Sequence, residues 1–204
     1  MPSNRAVLVV ALLAAIAGAG ASLLFEPTIA YRLAGTGVGQ QVLDASLQAR
    51  APKPPAGVEI ARKGGAVPSM TLADVAGKPM AIPAAWAGRP TLVNLWATWC
   101  APCLKEMPDL QAFAEAQGER GVRVVGIALD DPAAVADFLQ QHGITYPVLV
   151  DAAGPADAGV RLGNPAGVLP YSALVSADGR LLATRIGPFA DVADISGWAE
   201  AGIR

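Results

Sequence analysis

Apolar residues follow three different rhythms in this sequence. From Ala6 to Phe25 the run AVLVVALLAAIAGAGASLLF carries no charge, and about 20 such residues suffice to cross a bilayer as a helix. Arg5 precedes the run, and Glu26 and Pro27 follow it, which predicts a cytoplasmic N-terminus and an exported remainder. The AGA at 19–21 also suits a signal-peptide cleavage site, but the run continues past it through Leu23, Leu24 and Phe25. Its length favours an uncleaved single-pass anchor, residues 1–25, over a removable signal. Residues 26–64 keep no sustained period. They are rich in Ala, Gly and Gln, and the prolines of RAPKPPAGVE favour an extended, semi-rigid spacer. Within that stretch VGQQVLDASLQA is compatible with a short helix that sets Val38, Val42 and Leu43 on one side.

Beyond residue 64 the rhythm becomes that of alternating strands and helices. MTLADVAGKPMAI predicts two short strands about a Gly-Lys turn, and PTLVNLWA a buried strand. APCLKEMPDLQAFAEAQGE has helical spacing, and VRVVGIALD is a continuous apolar strand of the kind found in parallel sheets. DPAAVADFLQQHG opens with an Asp cap and a proline at the first helical position, and stops at Gly143. YPVLVD predicts another strand, AGPADAGVRLG a short helix, and YSALVSADGRLLATRIG a hairpin turning at Asp178-Gly179. ADVADISGWAEAG closes the chain as a helix. The expected class is α/β, a mixed central sheet with helices on both faces.

Composition narrows the function. The chain is 53% hydrophobic and 16% charged, and its 15 basic residues are scattered and outnumbered by 17 acidic ones. That excludes the clustered basic footprint of a nucleic-acid binder. Candidate chemistry lies in NLWATWCAPCLKEMP, residues 94–108, which holds both cysteines of the chain, Cys100 and Cys103. A bridge across so short a loop removes little unfolded-chain entropy, and a domain of this size needs no staple. A metal site wants three or four ligands, and the single histidine, His142, is about forty residues away at a helix end. A passive bridge or half a metal site is therefore the weaker reading, and a redox pair the stronger.

WATWCAPC after a buried strand, Pro108 five residues beyond Cys103, and the later VLPYSALVSADGRL resemble the thioredoxin fold. The extra strand–helix unit before that later segment, together with the N-terminal strands, resembles the membrane-anchored TlpA/ResA-like thiol-disulfide oxidoreductases. The resemblance spans roughly residues 65–204. It does not extend to a peroxiredoxin-type site, where a threonine stands three residues before the cysteine, because Thr98 stands two before Cys100.

The chemistry suits the spacing. A strand delivers Cys100 to the first turn of a helix, where unpaired N–H groups and the helix dipole favour a thiolate. Cys103, one turn on and deeper, then attacks the mixed disulfide and releases the partner. Pro102 presets helical φ between them and lacks an N–H that would be unpaired anyway. Thioredoxin carries an acid six positions before its first cysteine, and Asn94 here departs from that. TlpA/ResA-like proteins instead carry a glutamate three residues after the second cysteine, which is Glu106 here. The resemblance implies that Glu106 accepts the proton of Cys103; the alternative is a solvated helix carboxylate beside Lys105. The resemblance also implies a cis bond before Pro170, with the backbone of Leu169 offered to an extended substrate segment. Trp99, Ala101 and Pro102 border Cys100 as candidate docking residues, whereas Trp96 reads as structural.

The sequence thus predicts an anchored oxidoreductase facing the periplasm from a bacterial inner membrane. Its expected substrates are cysteine-containing proteins, its electron donor a membrane protein, and no cofactor or metal is implied. The resemblance implies a reductase of the cytochrome c maturation or cytochrome oxidase assembly type. A disulfide oxidase or isomerase, or a copper-handling assembly factor, remains as the alternative.

Overall fold

A computed structural model describes residues 37–204. The expected membrane-spanning run lies outside the described residues. Among the described residues, no helix is long and apolar enough to cross a membrane. Two units divide between Ser46 and Leu47. Helix α1, Gly37–Gln48, occupies part of the stretch read as spacer and exposes Val38 and Val42.

The second unit is built on a seven-stranded sheet: β1 (Met70–Asp74), β2 (Pro79–Ile82), β3 (Thr91–Trp96), β4 (Arg123–Leu129), β5 (Val148–Asp151), β6 (Tyr171–Val175) and β7 (Leu181–Ile186). Its order is β2-β1-β5-β4-β3-β6-β7. The centre, β5-β4-β3, is parallel, and antiparallel pairs close both sides. All six residues of β3 are buried, as suits the central strand of a sheet covered on both faces. The connecting helices are α2 (Ala101–Gln117), α3 (Pro132–His142), α4 (Ala158–Arg161) and α5 (Val192–Ile203).

Alternation along β3 assigns the two faces of the sheet. Leu92 and Trp96 belong to the cluster that also contains Met107, Leu110 and Phe113 of α2, Val135 of α3 and Ile195 and Ala199 of α5. Leu95 points the other way, toward α4, where a Cβ added at Gly159 would stand 2.8 Å from its side chain. Helices therefore cover both faces, as expected.

Local chemistry sets the ends of several elements. Asp131 accepts from the N–H groups of Ala133 and Ala134 to start α3, and left-handed Gly143 ends it. The β1–β2 turn is tied by Asp74 Oδ1, which accepts from Ala76 and Lys78. The β6–β7 hairpin turns where expected, with Gly179 at φ 81°. Ahead of β1 the chain already follows this hairpin: Gly64 N–H donates to Leu181, Leu181 N–H to Gly65, and Val67 N–H to Gly179. The cis Ile82–Pro83 peptide was not anticipated from the sequence.

Candidate active site

The loop after β3 carries the redox pair onto the start of α2. Asp130, following β4, accepts from both the N–H and the hydroxyl of Thr98 and so fixes this loop against the neighbouring strand. Cys100 is the N-cap of α2 and makes no side-chain capping bond, because its sulfur is joined to Cys103. The two Cα atoms are 5.3 Å apart. Pro102 occupies the first turn, where its missing N–H costs nothing. Cys100 is 5% exposed and Cys103 wholly enclosed, so Cys100 is the more accessible of the two. Ala101 and Pro102 are exposed around it, and Trp99 is 70% exposed. Trp96 is buried and tilts against Phe138 at 5.2 Å.

Glu106 lies one helical turn beyond Cys103 and is 1% exposed, so it is not a solvated helix carboxylate. Its Oε1 accepts from Asn94 Nδ2 at 2.9 Å, and its Oε2 from the Phe189 N–H at 2.7 Å. The Asn94 amide also reaches Ser172 Oγ at 3.2 Å. Burial pushes the Glu106 pKa up to about 7. The Phe189 and Asn94 bonds and the Arg185 charge oppose that rise, and Asp109 adds to it. The result is a carboxyl that exchanges its proton near neutral pH, in the range suited to acid–base work. Asn94, the residue that departs from thioredoxin, serves this carboxyl as a donor.

Pro170 is buried at the head of β6, and the Leu169–Pro170 peptide is cis, the isomer the resemblance implies. Leu169 packs against the cluster that holds Cys100 and Cys103. The Pro170 carbonyl accepts from Gly187 N–H at 2.9 Å, and Gly187 takes φ 90°, a conformation glycine adopts freely. The chain from Gly187 to Phe189 thus links the proline at one end to Glu106 at the other. His142 sits apart at the end of α3, stacked on Phe138 with Nδ1 2.9 Å from that residue's carbonyl oxygen. Among the described residues, no three His, Cys, Asp or Glu side chains are grouped to hold a metal.

Sequence reasoning singled out the cysteines, Glu106 and Pro170 but not the groups that hold Glu106. Asn94 and Ser172 were legible as polar residues in the largely apolar strands TLVNLW and YSALV, since a buried polar group needs a partner. The Phe189 amide left no such signal, because any residue supplies an N–H.

The Redoxin family model matches residues 62–198. The chain is similar to the thiol-disulfide oxidoreductase ResA of Bacillus anthracis, 32% identical over 127 residues that cover 61% of this chain and 69% of the relative. It is also similar to sporulation thiol-disulfide oxidoreductase A of Bacillus subtilis, 29% identical over 66% of this chain and 81% of that protein. Among solved structures, StoA of Bacillus subtilis matches with a TM-score of 0.53 and 26% identity, over 65% of this chain and 96% of that one. A thioredoxin-related protein of Neisseria meningitidis serogroup B matches with a TM-score of 0.56 and 30% identity, over 65% and 98%. With these likenesses added to a Cys-Ala-Pro-Cys pair at the head of a helix, the chain belongs to the Redoxin family, has a thioredoxin-like fold and is a thiol-disulfide oxidoreductase acting on cysteine-containing substrates.

Proposed function

We propose that the protein is a reductase of exported protein disulfides, held to the bacterial inner membrane by residues 1–25 with its catalytic domain, residues 65–204, in the periplasm. Residues 26–64 space the domain from the bilayer. The Cys100 thiolate attacks a substrate disulfide, forming a Cys100–substrate bond and expelling the other substrate sulfur. Cys103 then gives its proton to Glu106, and its sulfur bonds to Cys100. The electron pair of the broken Cys100–substrate bond leaves with the substrate, whose two thiolates become a dithiol by taking one proton back from Glu106 and one from water. Two electrons have passed outward, and a membrane electron-donor protein restores the Cys100–Cys103 dithiol. Leu169, before Pro170, presents its backbone to the extended substrate, and Trp99, Ala101 and Pro102 form the docking border around Cys100.

The observation that carries this reading is Glu106, buried one turn beyond an enclosed Cys103, where burial pushes its pKa up to about 7. Such a group serves release of a mixed disulfide, the step on which turnover of a C-x-x-C enzyme depends. The ResA and StoA likenesses support the exported setting. Direction is tested by the reduction potential of the full-length protein, equilibrated with glutathione. A reductant is expected near the negative end of the C-x-x-C range, about -270 mV, and a value near about -120 mV would make the protein an oxidase.

A further inference from the structure

A polar row crosses the sheet beneath Glu106. Asn94 of β3 pairs in register with Ser172 of β6, and Ser172 with Arg185 of β7, so the three side chains share one face. Arg185 is 6% exposed, and a buried guanidinium has to be paired. Its Nη1 and Nη2 donate to the two carboxylate oxygens of Asp194 at 3.0 and 2.7 Å, and Nη2 also donates to the Pro188 carbonyl at 3.2 Å. The guanidinium carbon stands 4.5 Å over the Phe189 ring. Asp194 Oδ2 in turn accepts the Ala190 N–H at 2.9 Å. Pro188, Phe189 and Ala190 are therefore all held by one ion pair, and the middle residue supplies the N–H that Glu106 accepts.

We propose that Arg185 is a positioning residue for the resolving step: it holds the Phe189 N–H on Glu106, and its charge, tempered by Asp194, sets how readily that carboxylate takes the Cys103 proton. This rests on the reading of Glu106 as proton acceptor. Several groups face Glu106 from the elements around it. Arg185 of β7 favours its carboxylate, Asp109 of α2 disfavours it, and Asn94 and Ser172 of β3 and β6 are neutral. Tyr146, ahead of β5, is kept protonated by its own burial and by Glu106, and Cys103 lies one turn away on α2. Arg185 is the cation of this set.

Two variants separate charge from mere support. Arg185→Met removes the charge and loosens the Phe189 N–H, and both changes disfavour the carboxylate. Asp194→Asn keeps an acceptor for the guanidinium while removing a nearby negative charge, which favours the carboxylate. A residue that only braced the loop would move both variants the same way.

The experiment is stopped-flow reaction of the reduced full-length protein with the chromogenic disulfide of thionitrobenzoate. Attack by Cys100 expels the first thionitrobenzoate, and attack by Cys103 on the mixed disulfide expels the second. The rate of the second phase is followed from about pH 6 to about pH 9. Its inflection is expected to rise by about one pH unit in Arg185→Met, by less in Arg185→Lys, and to fall by about half a unit in Asp194→Asn. If Arg185→Met does not fold, the downward shift in Asp194→Asn carries the test alone. Displacement of Asp194→Asn upward, or no displacement in it, overturns the proposal. If Glu106→Gln keeps the wild-type inflection, the reading of Glu106 fails and takes this inference with it. If Glu106→Gln abolishes the inflection while Arg185→Met leaves it in place, Arg185 alone is misassigned.

Discussion

Asn94 Nδ2 stands 2.9 Å from Glu106 Oε1, so the strand that leads into the redox loop also holds the buried carboxylate of the helix that follows it. This bond favours the ionised form against the burial that opposes it. Replacing Asn94 with Leu keeps the approximate volume and removes the donor. The inflection of mixed-disulfide release is expected to move up by about one pH unit, the worth of one hydrogen bond to a charged group. Glu106→Gln is expected to slow release by roughly ten- to a hundredfold at neutral pH and to remove the inflection near 7. Two-phase stopped-flow kinetics reads both effects, and unchanged release in Glu106→Gln would reduce Glu106 to a packing residue.

Stability should respond to the same carboxyl. Folding raises the Glu106 pKa from 4.5 to about 7, so the fold prefers the protonated form. That preference is fully present below pH 4.5 and is lost as the pH rises through about 7. Glu106→Gln, which never ionises, escapes the loss. In urea titrations of the oxidised proteins, the stability of the variant relative to wild type is expected to grow by about 3 kcal/mol between about pH 4.5 and about pH 8. A difference independent of pH would contradict the assignment.

Trp99 presents a large apolar surface beside Cys100 and contributes no core packing, being 70% exposed. Trp99→Ala is expected to leave the melting temperature within about 2 °C of wild type. It should slow reduction of a disulfide-bonded protein by about tenfold, and of a small disulfide by less, because a small molecule buries less of the indole. Equal slowing of both would place Trp99 in the chemistry of Cys100 instead of in docking.

Much of the fold was legible because local chemistry and periodicity agreed. β3 is largely apolar, α3 has its Asp cap and Gly stop, and the last hairpin has Asp-Gly at its turn. The cysteine pair was legible for the same reason, since a buried strand leads into Cys-Ala-Pro-Cys and a helical pattern follows it. Long-range pairing was not. Antiparallel β1 beside β5 joins segments whose own sequences say nothing of each other. The support of Glu106 was hidden for the same physical reason: Asn94 and Ser172 are 78 residues apart, and the Phe189 amide, 83 residues from Glu106, belongs to the backbone. The place of Arg185 likewise follows from the register of β6 and β7, which sets it beside Ser172.

The division of labour between the two cysteines is tested most directly by trapping. Cys100 is the more accessible of the two and caps the helix start, whereas Cys103 is enclosed and lies within the first turn. Reduced Cys103→Ser and Cys100→Ser proteins are each mixed with a disulfide-bonded peptide, and their intact masses are recorded under non-reducing conditions. Cys103→Ser is expected to accumulate a mixed disulfide through Cys100, and Cys100→Ser none. Equal trapping by both variants, or trapping by Cys100→Ser alone, would contradict the assignment of Cys100 as the attacking thiolate.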